Sequence, residues 1–422
     1  MTSLSPYWLL LLTLLMPLPF GTDRRGRCVP WVTYTLIGLN VAAYCVTGPS
    51  DFARWGLVPN APHFLSLITG LFLHEGLGHL LGNMIFLWVF GPHVEEALGR
   101  EAYLALYLGG GIAASLMHMA IILLRGEVVA SPLIGASGAI SAILAPFAIR
   151  FHRAQIRLAW LPAMLAAPNW SRLEVPAVSG VGLWLLWNIG GGFYFLFHPE
   201  PGGTAYWAHI GGFVFGLVAA ELTGLFRDGR QDYLLQDARS AAARGQEALD
   251  IALRKYRAFL NHEPENASVR AELARLLASS AGPTVRETEE RRQEANDEML
   301  GAIRAFQKQG RTPDAVRCAG EARALGLAVT LTPRERLRLA GGAEGAGDTE
   351  TAIGLLRALI AETPDAPEDE MAHLKLGQML RDRDPQASQA VLTAFLEKYP
   401  QSEWVRRVRD LQTAGKPPTA GA

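Results

Sequence analysis

Leu133-Ile134-Gly135-Ala136-Ser137-Gly138-Ala139-Ile140 sets one serine among glycines in a segment too apolar for a water-exposed surface. A serine in such a place either bonds helices together or does chemistry. Gly135 frees the turn ahead of it, and Gly135 with Gly138 leaves room for another backbone or a substrate at Ser137. Taken alone, Gly-x-Ser-Gly reads equally as a seam of small residues for helix packing. Two other polar clusters lie in apolar segments elsewhere in the chain. One is His74 with His79 and Asn83; the other is Ala208-His209 followed by Gly211 and Gly212.

The surrounding composition is divided. Residues 1–225 hold only 10 of the 39 Lys and Arg and 10 of the 40 Asp and Glu in the 422-residue chain. The first half therefore reads as a membrane domain and the second as water-soluble. A net charge of −1 gives no basic face for nucleic acid, so no nucleic-acid partner is expected. Cys28, Cys45 and Cys318 form neither a disulfide framework nor a zinc-ligand spacing.

Apolar runs of spanning length fall at 30–48, 78–97, 102–123, 133–150, 177–197 and 204–225. Residues 8–20 are too short to cross a bilayer and lack the flanks of a signal peptide, so they read as an interfacial segment. The loop 49–73 is unusually apolar and is expected to lie in the bilayer interface, with Trp55 as an anchor. Arg24, Arg25, Arg27, Arg100, Arg150, Arg153, Arg157, Arg172, Arg227 and Arg230 fall on one side, against Arg54 and Arg125 on the other. The positive-inside rule then puts both termini in the cytoplasm.

Beyond residue 226 the apolar period becomes that of amphipathic helices, as in Leu249, Leu253, Tyr256 and Leu260. Phe259-Leu260-x-x-x-Pro264, Leu359-Ile360-x-x-x-Pro364 and Phe395-Leu396-x-x-x-Pro400 repeat a helix-ending pattern. The spacing resembles a degenerate tetratricopeptide array of helix pairs about 34 residues long. The expected organisation is an interfacial and basic flank over 1–27, a six-span domain over 28–225, a helical repeat domain over 226–411 and a disordered tail over 412–422. The fold class is all-α, a polytopic six-helix membrane bundle followed by a soluble helical domain.

His74-Glu75-Gly76-Leu77-Gly78-His79 is one residue too long for a zinc-protease helix, and histidines five apart point about 140° from one another, so no metal is expected. His79 and Asn83 are four apart and share a face. His209 lies about one turn into the last span, where a titratable group in a bilayer marks a functional site. Its natural partner is Ser137, a weak nucleophile that an imidazole can activate as general base. Acyl transfer also needs donors aimed at the developing oxyanion; His79, Asn83 and the Ser137 N–H are of the right kind.

With these residues assembled, the chain resembles a rhomboid intramembrane serine protease of the six-helix bacterial type. The motifs are His79-Leu-Leu-Gly-Asn83, Gly135-Ala-Ser137-Gly138 and Ala208-His209, and the likeness extends to Val32-Thr33-Tyr34, Leu39-Asn40-Val41 and Glu95-Glu96-x-Leu98-Gly99. The resemblance implies a catalytic dyad of Ser137 and His209 with no Asp orienting the base. It also implies an oxyanion and substrate site at His79, Asn83 and Gly135, no cofactor, and single-span membrane proteins as substrates. It further implies residence in the inner (plasma) membrane of a cell. The repeats would offer a surface to a cytoplasmic protein partner. One departure stands out: some members place an aromatic ring four residues after the serine, against the base, and here that position is Ser141. The expectation is then that His209 is held less rigidly, or by another ring such as Trp207. A rhomboid-like scaffold that binds helices without cutting them is the competing function, but it would lack the serine or the histidine. A transporter would need a charged path, and residues 102–149 offer only His118, Arg125 and Glu127.

Overall fold

A computed structural model describes residues 18–24, 26, 28–128, 131–159, 172–197 and 205–414. The chain forms two compact units, Met1–Asp232 and Tyr233–Ala422.

Six apolar helices build the first unit: α1 Trp31–Val46, α2 Leu77–Leu98, α3 Arg100–Leu124, α4 Ser137–Arg150, α5 Ala177–Phe197 and α6 Tyr206–Leu222. By length and composition α2, α3 and α5, at 22, 25 and 21 residues, are long enough to cross a membrane. α1, α4 and α6 are shorter, at 16, 14 and 17 residues. The apolar run 133–150 is thus not helical throughout, because Leu133 pairs with Leu57 and Gly135 and Ala136 turn the chain ahead of Ser137. A 14-residue helix rises about 21 Å, less than the ~30 Å hydrocarbon core.

α4 is the centre of the unit, buried from Gly138 to Ala148. Its small residues let α3 and α6 come very close. A Cβ added at Gly212 would stand 2.1 Å from the Gly138 carbonyl oxygen, and one at Gly216 would stand 2.2 Å from that of Ala142. The helix starts are served from a distance. Glu95 of α2 accepts hydrogen bonds from the N–H of Val32 at 2.9 Å, and from the N–H and hydroxyl of Thr33 at 2.8 Å each, so it caps α1.

Two features go beyond the all-helical expectation. Residues at the end of the apolar N-terminal run form β1 (Leu18–Thr22), which pairs antiparallel with β2 (Gln155–Ala159), and β2 pairs antiparallel with β3 (Arg172–Pro176). Residues 8–17 of that run lie outside the described residues. The loop 49–73 is folded: it contains helices Pro49–Trp55 and Ser66–Thr69 and a 3-10 turn Gly70–Phe72. It is also docked, since Gly70 O accepts from Gly135 N–H at 2.9 Å.

The second unit is a run of amphipathic helices: α7 (Leu225–Ala243), which enters from the first unit, then α8 (Leu249–His262), α9 (Ala267–Ala278), α10 (Val285–Lys308), α11 (Thr312–Ala324), α12 (Pro333–Gly345), α13 (Thr349–Glu362), α14 (Asp369–Leu380), α15 (Pro385–Lys398) and α16 (Val405–Ala414). From α8 onward each helix packs on the next in sequence. Leu273, Leu277, Met299, Ile303 and Phe306 form its main core. The repeated motif has one geometry: α8, α13 and α15 each end three residues past Phe259, Leu359 and Phe395. The cap N–H of each then bonds back to the carbonyl of that same apolar residue.

Candidate active site

Ser137 is the first residue of α4, so its side chain stands at a helix start beside the docked loop. His209 sits in the first turn of α6, which the Gly212 contact pulls against α4. The result is a hydrogen bond of 2.9 Å between Ser137 Oγ and His209 Nε2. Both side chains are half-buried. The Ser141 hydroxyl donates to the Ser137 carbonyl at 2.7 Å.

The predicted donors come to the same place. Gly135 has φ +113°, which favours glycine, and a Cβ there would stand 2.8 Å from the His79 ring and 3.6 Å from Asn83 Nδ2. His79 and Asn83 of α2 thus face the turn two residues ahead of the serine. Nucleophile, base and donors converge from α2, α4 and α6. This arrangement can activate a hydroxyl and stabilise an oxyanion, which is what acyl transfer requires.

Sequence reasoning did not assign three neighbours. Asn83 Nδ2 lies 2.9 Å from Nε2 of His74, a buried histidine whose Nδ1 is 3.3 Å from the Phe72 carbonyl oxygen. Burial and the neighbouring His79 push the His74 pKa down to about 4, so it is neutral and can accept from the amide. Asn188 of α5 lies with Oδ1 2.7 Å from His209 Nδ1. The ring beside His209 is Trp184, with centroids 5.9 Å apart, whereas Trp207 lies against Phe193. The signal for Asn188 was present, a lone amide in an apolar span, but nothing in the spacing gives its register against His209.

Residues 61–225 match the family described as Rhomboid domain. The chain carries a rhomboid domain. Relatives agree. The presenilin-associated rhomboid-like protein A, mitochondrial, of Danio rerio is 29% identical over 153 residues, covering 36% of each chain. The rhomboid protein 1, mitochondrial, of Saccharomyces cerevisiae is 28% identical over 240 residues, covering 49% of this chain and 60% of its own. The presenilin-associated rhomboid-like protein, mitochondrial, of Bos taurus is 26% identical over 151 residues, 36% of each. The matches thus span about a third to three-fifths of these relatives.

Their names correct the expected location. The inner (plasma) membrane expected from the sequence is overturned by relatives that are named as mitochondrial proteins. Span lengths and arginine flanks describe how a rhomboid domain crosses a bilayer; they carry no information about which bilayer it is.

Proposed function

We propose that this chain is an intramembrane serine endopeptidase that cuts transmembrane segments of single-span membrane proteins. The observation that carries the reading is the 2.9 Å contact between Ser137 Oγ and His209 Nε2 inside a rhomboid domain. His209 takes the serine proton as Oγ attacks the scissile carbonyl, then returns it to the leaving amine. Asn83, His79 and the Ser137 N–H supply donors to the oxyanion, each worth about 10²–10³ in rate. Purified chain in lipid, incubated with a panel of single-span substrates, should cleave at least one of them. Ser137→Ala, His209→Ala and the double change should lose that activity to similar extents, because the two act as one unit. Turnover by Ser137→Ala near that of the wild type would exclude the mechanism.

The second unit is proposed as a tetratricopeptide-like array that binds a protein partner. Support comes from the shared way in which α8, α13 and α15 end, one apolar carbonyl accepting from the cap N–H each time. A chain ending near Arg230 should keep cleaving a generic substrate and lose the partner in pull-downs.

A further inference from the structure

His209 has a partner on each ring nitrogen. Nε2 is 2.9 Å from Ser137 Oγ, and Nδ1 is 2.7 Å from Oδ1 of Asn188. Which end of the Asn188 amide faces the ring is decided by its other end. Asn188 Nδ2 lies 2.8 Å from the Trp184 carbonyl oxygen one turn earlier in α5, and a carbonyl can only accept. The NH2 end is therefore committed to the helix backbone, and the amide oxygen faces the imidazole. That oxygen also only accepts, so Nδ1 must carry the ring proton. In a neutral imidazole Nε2 is then bare and aimed at the Ser137 hydroxyl.

We propose that Asn188 is a positioning residue that holds His209 in the one tautomer able to act as base. The proposal rests on the protease reading above. Asn188 is 2% exposed, so water does not compete for either end of its amide. A neutral amide also suits the site, because it orients the ring without burying an unpaired carboxylate in an apolar layer. During attack the Oγ–H bond breaks, its proton goes to Nε2, and the Oγ electron pair forms the bond to the scissile carbon. The imidazolium keeps its Nδ1–H on Asn188 Oδ1 throughout. When the C–N bond breaks, the Nε2 proton leaves on the amine. No proton passes to Asn188.

Two measurements on the full chain in lipid test this. The first is ring-nitrogen NMR of His209 in the Ser137→Ala background, assigned by comparison with His209→Ala. The Nδ1–H tautomer is expected there, and Asn188→Leu should convert it to a mixture. The second is kinetic. Asn188→Leu should lower kcat about 10²-fold with KM little changed, since only activation of the nucleophile is lost. Asn188→Asp keeps an acceptor at Nδ1; it should recover most of kcat and move the acid limb of the kcat/KM profile up by about one pH unit, because a carboxylate favours the imidazolium. Folded Asn188→Leu that retains the Nδ1–H tautomer and wild-type kcat would overturn the proposal. So would equal losses in the Leu and Asp variants with the tautomer unchanged, the mark of a packing role. If the wild type cuts no substrate in the panel, the protease reading fails, and the NMR experiment still decides the role of Asn188.

Discussion

The two units start their helices by different means. In the second, five helices carry the cap beside them, since Asn266, Thr284, Thr332, Asp348 and Asp384 each accept from the N–H three residues on, while α8, α11 and α14 have no such cap. In the first, no described apolar helix with an assigned N-cap has a side-chain cap from that residue, and α1 is capped by Glu95 from 62 and 63 residues away. The difference follows from the solvent. Where water reaches the surface, an unmade bond at a helix end is cheap and a local polar residue suffices. In an apolar layer the orphan groups must find protein partners, and the bundle supplies them. The first unit also has close backbone seams at Gly212 and Gly216, beside large buried rings such as Tyr103, Tyr107 and Phe147.

The sharpest way to break this comparison is Glu95→Ala. It strands two backbone N–H groups, and leaves the Thr33 hydroxyl to Tyr103 alone at 3.1 Å, in a site where Glu95 itself is 4% exposed. Unfolding in micelles should show a loss of about 2–6 kcal/mol, from about 1–3 for each of the two stranded N–H groups. A loss under about 1 kcal/mol would mean that α1 is held by packing alone.

Gly212→Ala tests the seam. Its Cβ would meet a backbone oxygen at 2.1 Å, so α6 must move away from α4. The expected cost is about 1–3 kcal/mol. Cleavage should fall further than stability does, because the Ser137–His209 bond spans the same two helices. Gly182→Ala, with nothing near its added Cβ, is the control.

In the second unit the effects should be smaller. Thr332→Ala removes a cap that is reciprocated by Glu335 and should cost about 1 kcal/mol in denaturant unfolding. Glu272 supplies a pH test. Partial burial raises its pKa, but hydrogen bonds and charge from Arg239 outweigh this and hold it below 4.5. With the folded pKa depressed, its stabilisation is present above pH 4.5 and is lost as pH falls through the lower folded value. Glu272→Gln should therefore flatten the acid side of the stability curve. The smallest change belongs to Arg286–Glu290, an exposed pair one turn apart on α10. Glu290→Ala should shift stability by about 0.3–0.5 kcal/mol and respond to salt.

The same division decides what could be read in advance. Apolar run lengths and polar residues isolated within them marked the helices and singled out Ser137, His209, His79 and Asn83, because such residues are costly in an apolar segment whatever it packs against; Gly135 was marked by the room it leaves beside the serine. Amphipathic period and the Pro-ended motif marked the second unit in the same way. What stayed hidden depended on register between elements distant in sequence. The docking of the 49–73 loop on Leu133 and Gly135, the pairing of β1 with β2, His74 behind Asn83, and Trp184 rather than Trp207 beside the base are all of this kind.

By itself, then, the sequence determined the helical membrane class, the approximate helix positions and the set of residues able to do acyl-transfer chemistry. Each of these follows from the transfer cost and reactivity of single side chains. Only the tertiary structure decided that α4 begins at the serine, that Asn188 meets His209 at 2.7 Å, and that Glu95 closes the start of α1. These depend on how far one helix slides and turns against another. That is governed by contacts between backbones at Gly212 and Gly216, where no side chain records which partner will come.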